Sequence, residues 1–215
     1  MKPGPMVADA MTARPAVFLD RDGTLIEEVG YLDRLERMRL FPWSIDAVRL
    51  LNRAGFAVVV VSNQAGVARG FFAEAFVEEV RREIDARVAA AGARIDGWYH
   101  CPHHPDAPLP EYRRQCDCRK PRPGMIRQAA RDLDLDPARS YVIGDRWLDV
   151  QLARNVGARG ILVRTGYGAG EERRPPDALR QAQGAVSLSN GGTKADLIAD
   201  NLIDAVSWIL RENRP

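Results

Sequence analysis

The sequence has little of what marks membrane, exported or polyanion-binding proteins. Its 215 residues include only three cysteines, an odd number that cannot all pair within one chain. No apolar run approaches the roughly 18 residues that a bilayer-spanning helix needs, and the formal net charge is only +2. Aromatic residues make up 7%, which leaves few rings to stack on single-stranded nucleic acid. These absences favour a cytoplasmic protein with no membrane or nucleic-acid partner.

The first 15 residues lack the apolar centre of a signal peptide. We expect residues 1–15 to form a flexible tail and residues 16–215 to form a single domain. A compact domain of this size is compatible with a monomer, which is the state we expect.

Short apolar segments alternate with amphipathic ones along most of the chain. Buried strands are predicted over residues 16–19, 56–61, 95–99, 141–143 and 160–163, with a short edge strand over 196–198. Amphipathic helices are predicted over residues 44–54, 73–91, 123–133, 147–156 and 201–210, the first of them capped by Ser44. Residues 171–194 are polar, which indicates a loop or a weak helix. This alternation predicts an α/β fold, a doubly wound parallel sheet with helices on both faces.

Polar residues directly follow three of the predicted strands. They are the segments Asp20-Arg21-Asp22, Ser62-Asn63-Gln64 and Gly144-Asp145-Arg146. Ligands of doubly wound sheets bind beyond the carboxyl ends of the strands. We therefore expect these three loops to carry the chemistry of the protein.

Asp20 and Asp22 are suited to phosphoryl transfer, although an Asp-x-Asp-Gly segment taken alone is as readily a polar turn. Because they are two residues apart, their side chains share a direction if the strand geometry continues. One carboxylate can attack phosphorus while the other handles the proton of the leaving group. Such an attack needs a divalent cation, because two anions must approach each other. Mg²⁺ prefers oxygen ligands, which Asp20, a main-chain oxygen of Asp22 and the carboxylate of Asp145 can supply.

Three more side chains fit the same chemistry. Ser62 can donate its hydroxyl proton to a phosphate oxygen, and Lys120 can offset the charge of the transition state. Asp149 lies one helical turn after Asp145, where it can bind a water of the metal or orient the loop.

These residues resemble, in order, the four motifs of haloacid dehalogenase-type phosphatases. The matching segments are Asp20-Arg21-Asp22-Gly23-Thr24-Leu25, Ser62-Asn63-Gln64, Lys120-Pro121, and Gly144-Asp145 with Asp149. The resemblance implies that Asp20 forms an aspartyl-phosphate, that Asp22 is the general acid and base, and that Asp145 completes the Mg²⁺ site. It further implies that Ser62 and Lys120 hold the transferred group. The fold it implies has a short flap after the nucleophile and no large cap domain.

All three cysteines lie in a proline-rich segment without helical or strand period. Cys101, His103, Cys116 and Cys118 offer three thiolates and one imidazole, a closed tetrahedral set suited to structural Zn²⁺. Free thiols beside a surface histidine pair, or one disulfide, are the alternatives. A long loop with few apolar residues needs another source of order, which favours a zinc loop over residues 101–118. With four protein ligands this zinc has no open position and is not catalytic.

The cysteine loop directly before Arg119-Lys120 is similar to that of phosphatases acting on heptose 1,7-bisphosphate and on histidinol phosphate. The heptose enzymes are the closer match, in the flap and around Lys120. They imply removal of the 7-phosphate of D-glycero-D-manno-heptose 1,7-bisphosphate, a step in supplying sugar for lipopolysaccharide. The residues implied to contact the substrate are Glu28, Val29, Gly30, Tyr31, Asn63, Gln64, Arg119 and Arg146.

Two arginines bear on the choice of substrate. Arg119 and Arg146 can hold a second phosphate, although they could instead only compensate nearby acids. Histidinol phosphate has a cationic tail that these arginines disfavour and that Glu28 could favour, so this alternative stays open. The heptose enzymes have Lys where Arg146 stands, which leaves the anomer preference open. A nucleic-acid 3′-phosphatase is less favoured, and a non-catalytic scaffold would be expected to lack Asp20 or Asp145.

Overall fold

The computed structural model describes residues 13–173 and 194–214. Six strands within them form one sheet: β1 (Ala16–Leu19), β2 (Ala57–Asn63), β3 (Gly97–Cys101), β4 (Tyr141–Gly144), β5 (Arg159–Val163) and β6 (Leu197–Ala199). The strand order is β3-β2-β1-β4-β5-β6, and every neighbouring pair is parallel. The predicted doubly wound parallel sheet is therefore confirmed.

The winding of the sheet reverses beside β1. The chain adds β2 and β3 on one side of β1 and then β4, β5 and β6 on the other. The reversal makes β1 and β4 neighbours, with Leu19 paired to Ile143 at their carboxyl ends. Ligands of doubly wound sheets bind at such reversal points, so the loops after β1 and β4 lie where a functional site is expected.

Helices cover both faces of the sheet. They are α1 (Ser44–Arg53), α2 (Ala65–Ala68), α3 (Glu74–Ala90), α4 (Gly124–Leu133), α5 (Trp147–Val156), α6 (Gly168–Glu172) and α7 (Leu202–Glu212). Successive residues of a strand point to opposite faces. Val17 and Leu19 accordingly pack into the core under α1, α3 and α7, whereas Ala16 and Phe18 pack into the core under α4 and α5. Burial on both faces explains why the central strands are continuous apolar runs.

The ends of several elements differ from the prediction. β3 begins at Gly97, two residues late, because the carboxylate of Asp96 accepts a hydrogen bond from the Val58 N–H (2.8 Å) just before the ladder starts. Ser44 does not cap α1. It is the first residue of that helix, and its buried hydroxyl donates to the Leu25 carbonyl (2.6 Å), a partner brought there only by folding.

Most of the predicted tail and of the polar segment 171–194 lies outside the described residues. Arg14, inside the predicted tail, donates its N–H to the Asp134 carbonyl (2.9 Å) and accepts from the Asp136 N–H (2.8 Å). Main-chain contacts of the domain therefore begin before residue 16, and the division of the chain at that point stays a prediction. Among the described helices, none is long and apolar enough to cross a membrane.

Candidate active site and cysteine cluster

Three carboxylates meet at the reversal point of the sheet. Ligand oxygens of Asp20, Asp145 and Asp149 all lie within 4.8 Å of one another, and all three residues are buried. Asp20 is fixed to β4 through its main chain, because its N–H donates to the Ile143 carbonyl (2.9 Å). The structure thus brings together the predicted residues Asp20 and Asp145 and adds Asp149 as a third member of the group.

The electrostatics of this group favour a bound cation. Burial raises the pKa of Asp20 to about 6, against the opposing charge of Lys120. Burial, together with the charges of Asp20 and Asp149, raises the pKa of Asp145 to about 8. Clustered buried acids of this kind are typical of functional sites. The three carboxylates could hold a divalent metal ion, whose charge would favour their ionised forms.

Lys120 is held in this cluster by both its side chain and its main chain. Its Nζ lies 2.8 Å from Asp20 Oδ1 and 2.7 Å from Asp149 Oδ1, and it donates to the Val61 carbonyl at 3.1 Å. Burial alone would lower the pKa of Lys120, but the charges of Asp149 and Asp20 outweigh it and raise the pKa. The side chain of Asn63 accepts from the Lys120 N–H (3.0 Å) and donates to its carbonyl (3.3 Å). A charged lysine is therefore held beside Asp20 in a fixed position.

Asp22 belongs to a separate hydrogen-bond network. Arg21 donates to both of its carboxylate oxygens, from Nε to Oδ2 (3.1 Å) and from Nη2 to Oδ1 (2.9 Å). Gln64 donates to Asp22 Oδ2 (3.0 Å) and to Ser62 Oγ (2.6 Å). The side chains of Asn63 and Gln64 thus bind protein groups in this structure, and their predicted contact with substrate stays a prediction.

The loop after β5 contributes groups that the motifs did not reveal. The N–H of Tyr167 donates to Asp145 Oδ2 (2.8 Å), and the Thr165 hydroxyl donates to the Gly23 carbonyl (2.6 Å). Gly23 and Gly166 have φ of +76° and +56°, and a Cβ at either would collide with the Asp145 carboxylate. The sequence indicated a role for the loop after β5 only through its position, because this loop also follows a strand at the same edge of the sheet.

The predicted flap lies beside Asp22 and is tied to the protein by Arg37. The Arg37 guanidinium donates to the main-chain carbonyls of Tyr31 (3.1 Å) and Val29 (2.9 Å). Burial and the charge of Asp22 raise the pKa of Glu28 to about 7. The flap therefore presents to the site an acid that is only partly ionised at neutral pH.

Aromatic rings and arginines lie around the opening of the site. Tyr31 and Phe71, both exposed, meet edge to face with ring centroids 4.5 Å apart. The guanidinium of Arg146 lies over the Tyr167 ring, 4.4 Å from its centroid. Arg119 is half-buried and donates to the His103 carbonyl (3.2 Å). These groups could contact the part of a ligand that extends beyond the three carboxylates.

Cys101, His103, Cys116 and Cys118 converge in the second cluster. Cys118 Sγ lies 3.2 Å from Cys101 Sγ, 3.1 Å from Cys116 Sγ and 3.4 Å from His103 Nδ1. All three cysteines are free, since these separations exceed the disulfide bond length of about 2.05 Å. The hydrogen bond between Cys118 and Cys101 lowers the pKa of Cys118 to about 5. Three sulfurs and one imidazole nitrogen packed this closely could hold a metal ion such as Zn²⁺.

The cysteine cluster is joined to the active-site loops by hydrogen bonds to its main-chain carbonyls, one from a main-chain N–H and one from a guanidinium. The carbonyl of Cys101, the last residue of β3, accepts the N–H of Gln64 (2.8 Å). The carbonyl of Cys116 accepts from Arg122 (3.1 Å), just after the segment that carries Lys120. The cluster therefore connects the end of β3 with the loop that presents the lysine.

Known proteins similar to this chain agree with this arrangement. The HAD-hydrolase-like family model matches residues 117–205. The D-glycero-beta-D-manno-heptose-1,7-bisphosphate 7-phosphatase of Escherichia coli (strain K12) is 47% identical over 154 residues, which cover 71% of this chain and 80% of that enzyme. The enzyme of the same name from Haemophilus ducreyi is 36% identical over 198 residues, which cover 91% of this chain and 98% of the relative.

A solved structure shares the fold over nearly the whole chain. The D,D-heptose 1,7-bisphosphate phosphatase from B. bronchiseptica, complexed with magnesium and phosphate, matches with a TM-score of 0.73 and 31% sequence identity. The match covers 92% of this chain and 99% of that one. Both the sequence relatives and the solved structure therefore lie in one group of phosphatases.

Proposed function

The chain belongs to the haloacid dehalogenase-like phosphatases, and we propose that it removes the 7-phosphate of D-glycero-D-manno-heptose 1,7-bisphosphate. The observation that carries this proposal is the similarity to the Haemophilus ducreyi heptose bisphosphate 7-phosphatase, which covers 98% of that enzyme. Similarity over so much of a relative extends beyond the core of the fold to its loops. The 47% identity to the Escherichia coli enzyme of the same name supports the same substrate.

We propose that Mg²⁺ is the catalytic cofactor and that Asp20, Asp145 and the main-chain oxygen of Asp22 bind it. The donor set consists of oxygen atoms, which Mg²⁺ prefers, and the raised pKa of Asp145 favours a cation beside it. Bound there, Mg²⁺ would reduce the repulsion between the attacking carboxylate and the phosphate. Because Asp149 is paired with Lys120, we assign it to orienting the lysine.

The side chains of the protein then carry the phosphoryl group and the proton. A carboxylate oxygen of Asp20 attacks phosphorus, the bond from phosphorus to the sugar oxygen breaks, and Asp22 gives that oxygen a proton. Lys120 and Ser62 donate hydrogen bonds to the phosphoryl oxygens as charge develops on them. Water then attacks the phosphorus of the aspartyl-phosphate and gives its proton to Asp22. Inorganic phosphate leaves, and the Asp20 carboxylate is regenerated.

The rest of the substrate is bound, in this proposal, by the flap and by Arg119 and Arg146. A second phosphate on the sugar needs a cation that stays charged, and a guanidinium offers it two parallel donors. The position of Arg146 over the Tyr167 ring, 4.4 Å from its centroid, holds its side chain ready for that contact. This geometry supports a bisphosphate.

Histidinol phosphate is the weaker candidate. Its cationic amine would need an anionic partner beyond the reacting phosphate, and Glu28 is the acid of the flap. The pKa of Glu28 is raised to about 7, first by burial, so a large share of this carboxyl is neutral at physiological pH. The nearby guanidinium of Arg146 would repel the amine further.

We also propose that Cys101, His103, Cys116 and Cys118 bind a structural Zn²⁺. The four donors fit a closed tetrahedral site, which leaves no position for a reacting water. Thiolate ligands persist in a reducing compartment, which supports a cytoplasmic location. We expect a monomer that binds neither nucleic acid nor a membrane.

Phosphate release from a panel of phosphate monoesters tests the proposed function. The panel contains both anomers of heptose 1,7-bisphosphate, histidinol phosphate and glucose 6-phosphate, with Mg²⁺ present and Asp20→Asn as the inactive control. We expect the highest kcat/KM with one anomer of the heptose bisphosphate. An equal or higher kcat/KM with histidinol phosphate would contradict the proposal. The uncatalysed background is negligible, because phosphate monoesters are among the slowest esters to hydrolyse.

A further inference from the structure

We propose that Arg21 and Gln64 are positioning residues that orient the general acid Asp22 and the phosphate-binding hydroxyl of Ser62. This inference rests on the proposed phosphatase chemistry, in which those two side chains act on the substrate. Arg21 and Gln64 are themselves buried, each with 4% of its surface exposed. Such burial leaves their side chains little surface for a substrate and directs attention to the protein groups that they contact.

The guanidinium of Arg21 lies opposite the whole carboxylate of Asp22. Its Nε and Nη2 donate to Oδ2 and Oδ1 at 3.1 and 2.9 Å. Two parallel hydrogen bonds fix the plane of a carboxylate as well as its position. A lysine could supply the positive charge but not the two parallel N–H donors of a guanidinium. Arg21 therefore determines how Asp22 faces the leaving group of a substrate.

The amide orientation of Gln64 follows from its contact with Arg21. A guanidinium has donors only, so the Gln64 atom that lies 3.1 Å from Arg21 Nη2 must be the carbonyl oxygen Oε1. The amide nitrogen consequently faces Asp22 Oδ2 and Ser62 Oγ, at 3.0 and 2.6 Å. One amide group thus links the proton donor of the reaction to the hydroxyl of the phosphate site.

Gln64 also determines what the Ser62 hydroxyl can do. A serine hydroxyl has one proton to donate and two lone pairs that accept. Because the Gln64 amide donates to Ser62 Oγ (2.6 Å), it uses a lone pair and directs the hydroxyl proton elsewhere. That proton is then available to a phosphoryl oxygen, which is the role that Ser62 has in the proposed reaction.

The test compares two substrates that differ in their need for a general acid. Heptose 1,7-bisphosphate has an alkoxide leaving group that needs a proton, whereas p-nitrophenyl phosphate has a leaving group that is stable without one. Arg21→Met keeps the approximate length of the side chain and removes every hydrogen-bond donor. Arg21→Lys keeps the positive charge and removes the pair of parallel donors. Arg49→Met is the matched control, because Arg49 lies on α1 and pairs with Asp46 (2.7 Å).

General acid catalysis contributes about 10²- to 10⁴-fold, so misplacing Asp22 has a large effect only where a proton is required. For Arg21→Met we expect kcat/KM to fall at least ~30-fold with the heptose bisphosphate. With p-nitrophenyl phosphate we expect a fall of less than ~10-fold, because Gln64 loses its contact with Arg21 but can still donate to Ser62. Arg21→Lys should show the same selective loss, and Arg49→Met should change neither value. A loss of equal size with both substrates would overturn the role of Arg21.

A double-mutant cycle separates positioning from a general structural effect. If Arg21 acts through Asp22, adding Arg21→Met to Asp22→Asn should cost no further kcat/KM with the heptose bisphosphate. Losses that multiply would overturn the inference. Gln64→Leu is expected to lower kcat/KM with both substrates, because both phosphates contact Ser62, and to cost nothing more in a Ser62→Ala background. This second cycle carries the test if thermal melts show that Arg21→Met does not fold.

Failure of the proposed substrate can be distinguished from failure of this inference. If wild-type protein does not hydrolyse heptose bisphosphate, the proposed function fails. The same comparison is then made with histidinol phosphate, which is also an alkyl ester. The ratio between the alkyl ester and p-nitrophenyl phosphate decides the role of Arg21 in either case.

Discussion

Lys120 and Asp149 form an ion pair with 2.7 Å between Nζ and Oδ1, and neither side chain is more than 1% exposed. The same ammonium lies 2.8 Å from Asp20 Oδ1. One buried lysine therefore balances two of the three clustered carboxylates. Asp145 instead experiences the charges of Asp20 and Asp149. The charge within the cluster is unevenly distributed, and substitutions on its two sides should have opposite effects.

Lys120→Met and Asp145→Asn are both expected to abolish phosphatase activity while changing stability in opposite directions. Removing the lysine leaves buried carboxylates without their partner, which costs about 3–5 kcal/mol. Asp145→Asn removes one of the mutually repelling acids and keeps an oxygen for the Tyr167 N–H. The free energy of unfolding, measured by urea titration at pH 9 without added Mg²⁺, should fall for the first variant and rise for the second. A fall in both would contradict this distribution of charge.

The stability that Asp145→Asn gains should depend on pH. The pKa of Asp145 in the folded protein is about 8, well above its ordinary value of 3.8. Below pH 3.8 the Asp145 carboxyl is neutral in both the folded and the unfolded protein, so it does not reduce the free energy of unfolding. Above that pH the carboxyl loses its proton first in the unfolded chain. The folded wild type is therefore progressively destabilised as the pH rises towards 8. Urea titrations of both proteins without added Mg²⁺ should show a difference in the free energy of unfolding that grows from pH 5 to pH 8 to a few kcal/mol, at about 1.4 kcal/mol per pKa unit. If the difference in stability does not vary with pH, the raised pKa of Asp145 is not its cause.

Gly166→Ala should cost activity because of its position beside Asp145. Gly166 has φ of +56°, and an added Cβ would collide with the Asp145 carboxylate and with the Cα of Gly23. Gly157→Ala is the matched control, since Gly157 has φ of +75° but no atom within 4 Å of an added Cβ. Both substitutions should destabilise the protein by about 1–2 kcal/mol through the left-handed backbone. Only Gly166→Ala should raise the Mg²⁺ concentration needed for half-maximal activity, and equal Mg²⁺ requirements would contradict the collision.

Arg146→Ala should weaken binding of a bisphosphate and leave the reacting centre intact. The Arg146 guanidinium rests on the Tyr167 ring and, in our proposal, contacts the phosphate that is not hydrolysed. We expect KM for heptose 1,7-bisphosphate to rise about 10-fold or more, since a charge-assisted hydrogen bond contributes ~1.5–3 kcal/mol. KM for p-nitrophenyl phosphate, which has no second phosphate, should stay within about twofold on the same reasoning. Parallel increases in both values would show that Arg146 serves the reacting phosphate instead.

Zinc should be found at one ion per chain, bound at the cysteine cluster. Elemental analysis of purified protein should show this ratio, and Cys118→Ser should reduce it strongly. His104→Gln is a suitable control, because His104 neighbours the cluster in sequence but is not part of it. Removing zinc with a strong chelator should lower the melting temperature, since structural zinc contributes about 10–16 kcal/mol to the folding of small modules. Wild-type zinc content in Cys118→Ser would contradict the assignment.

The residues that could be predicted were those whose chemistry and position are both visible along the chain. Asp20 and Asp145 follow apolar runs, and the parallel sheet necessarily brings such strand ends to one edge. Tyr167 was missed because it acts through a main-chain N–H, which every residue except proline has. The hydrogen bonds of the Gln64 amide to Asp22 and Ser62 were likewise not predicted. The hydrogen-bond partners of a buried amide depend on the folded structure, so they cannot be predicted from a short sequence motif.

β1 is the first strand of the described chain, yet it lies between β2 and β4 in the sheet. Translation therefore produces Asp20 before β2 and β3, and produces β4 and Asp145 only after them. A nascent chain or proteolytic fragment that ends before β4 has Asp20 without Asp145, and it lacks one of the two strands that flank β1. The group of three carboxylates is thus complete only after β4 has inserted beside β1 and α5 has brought Asp149 to it.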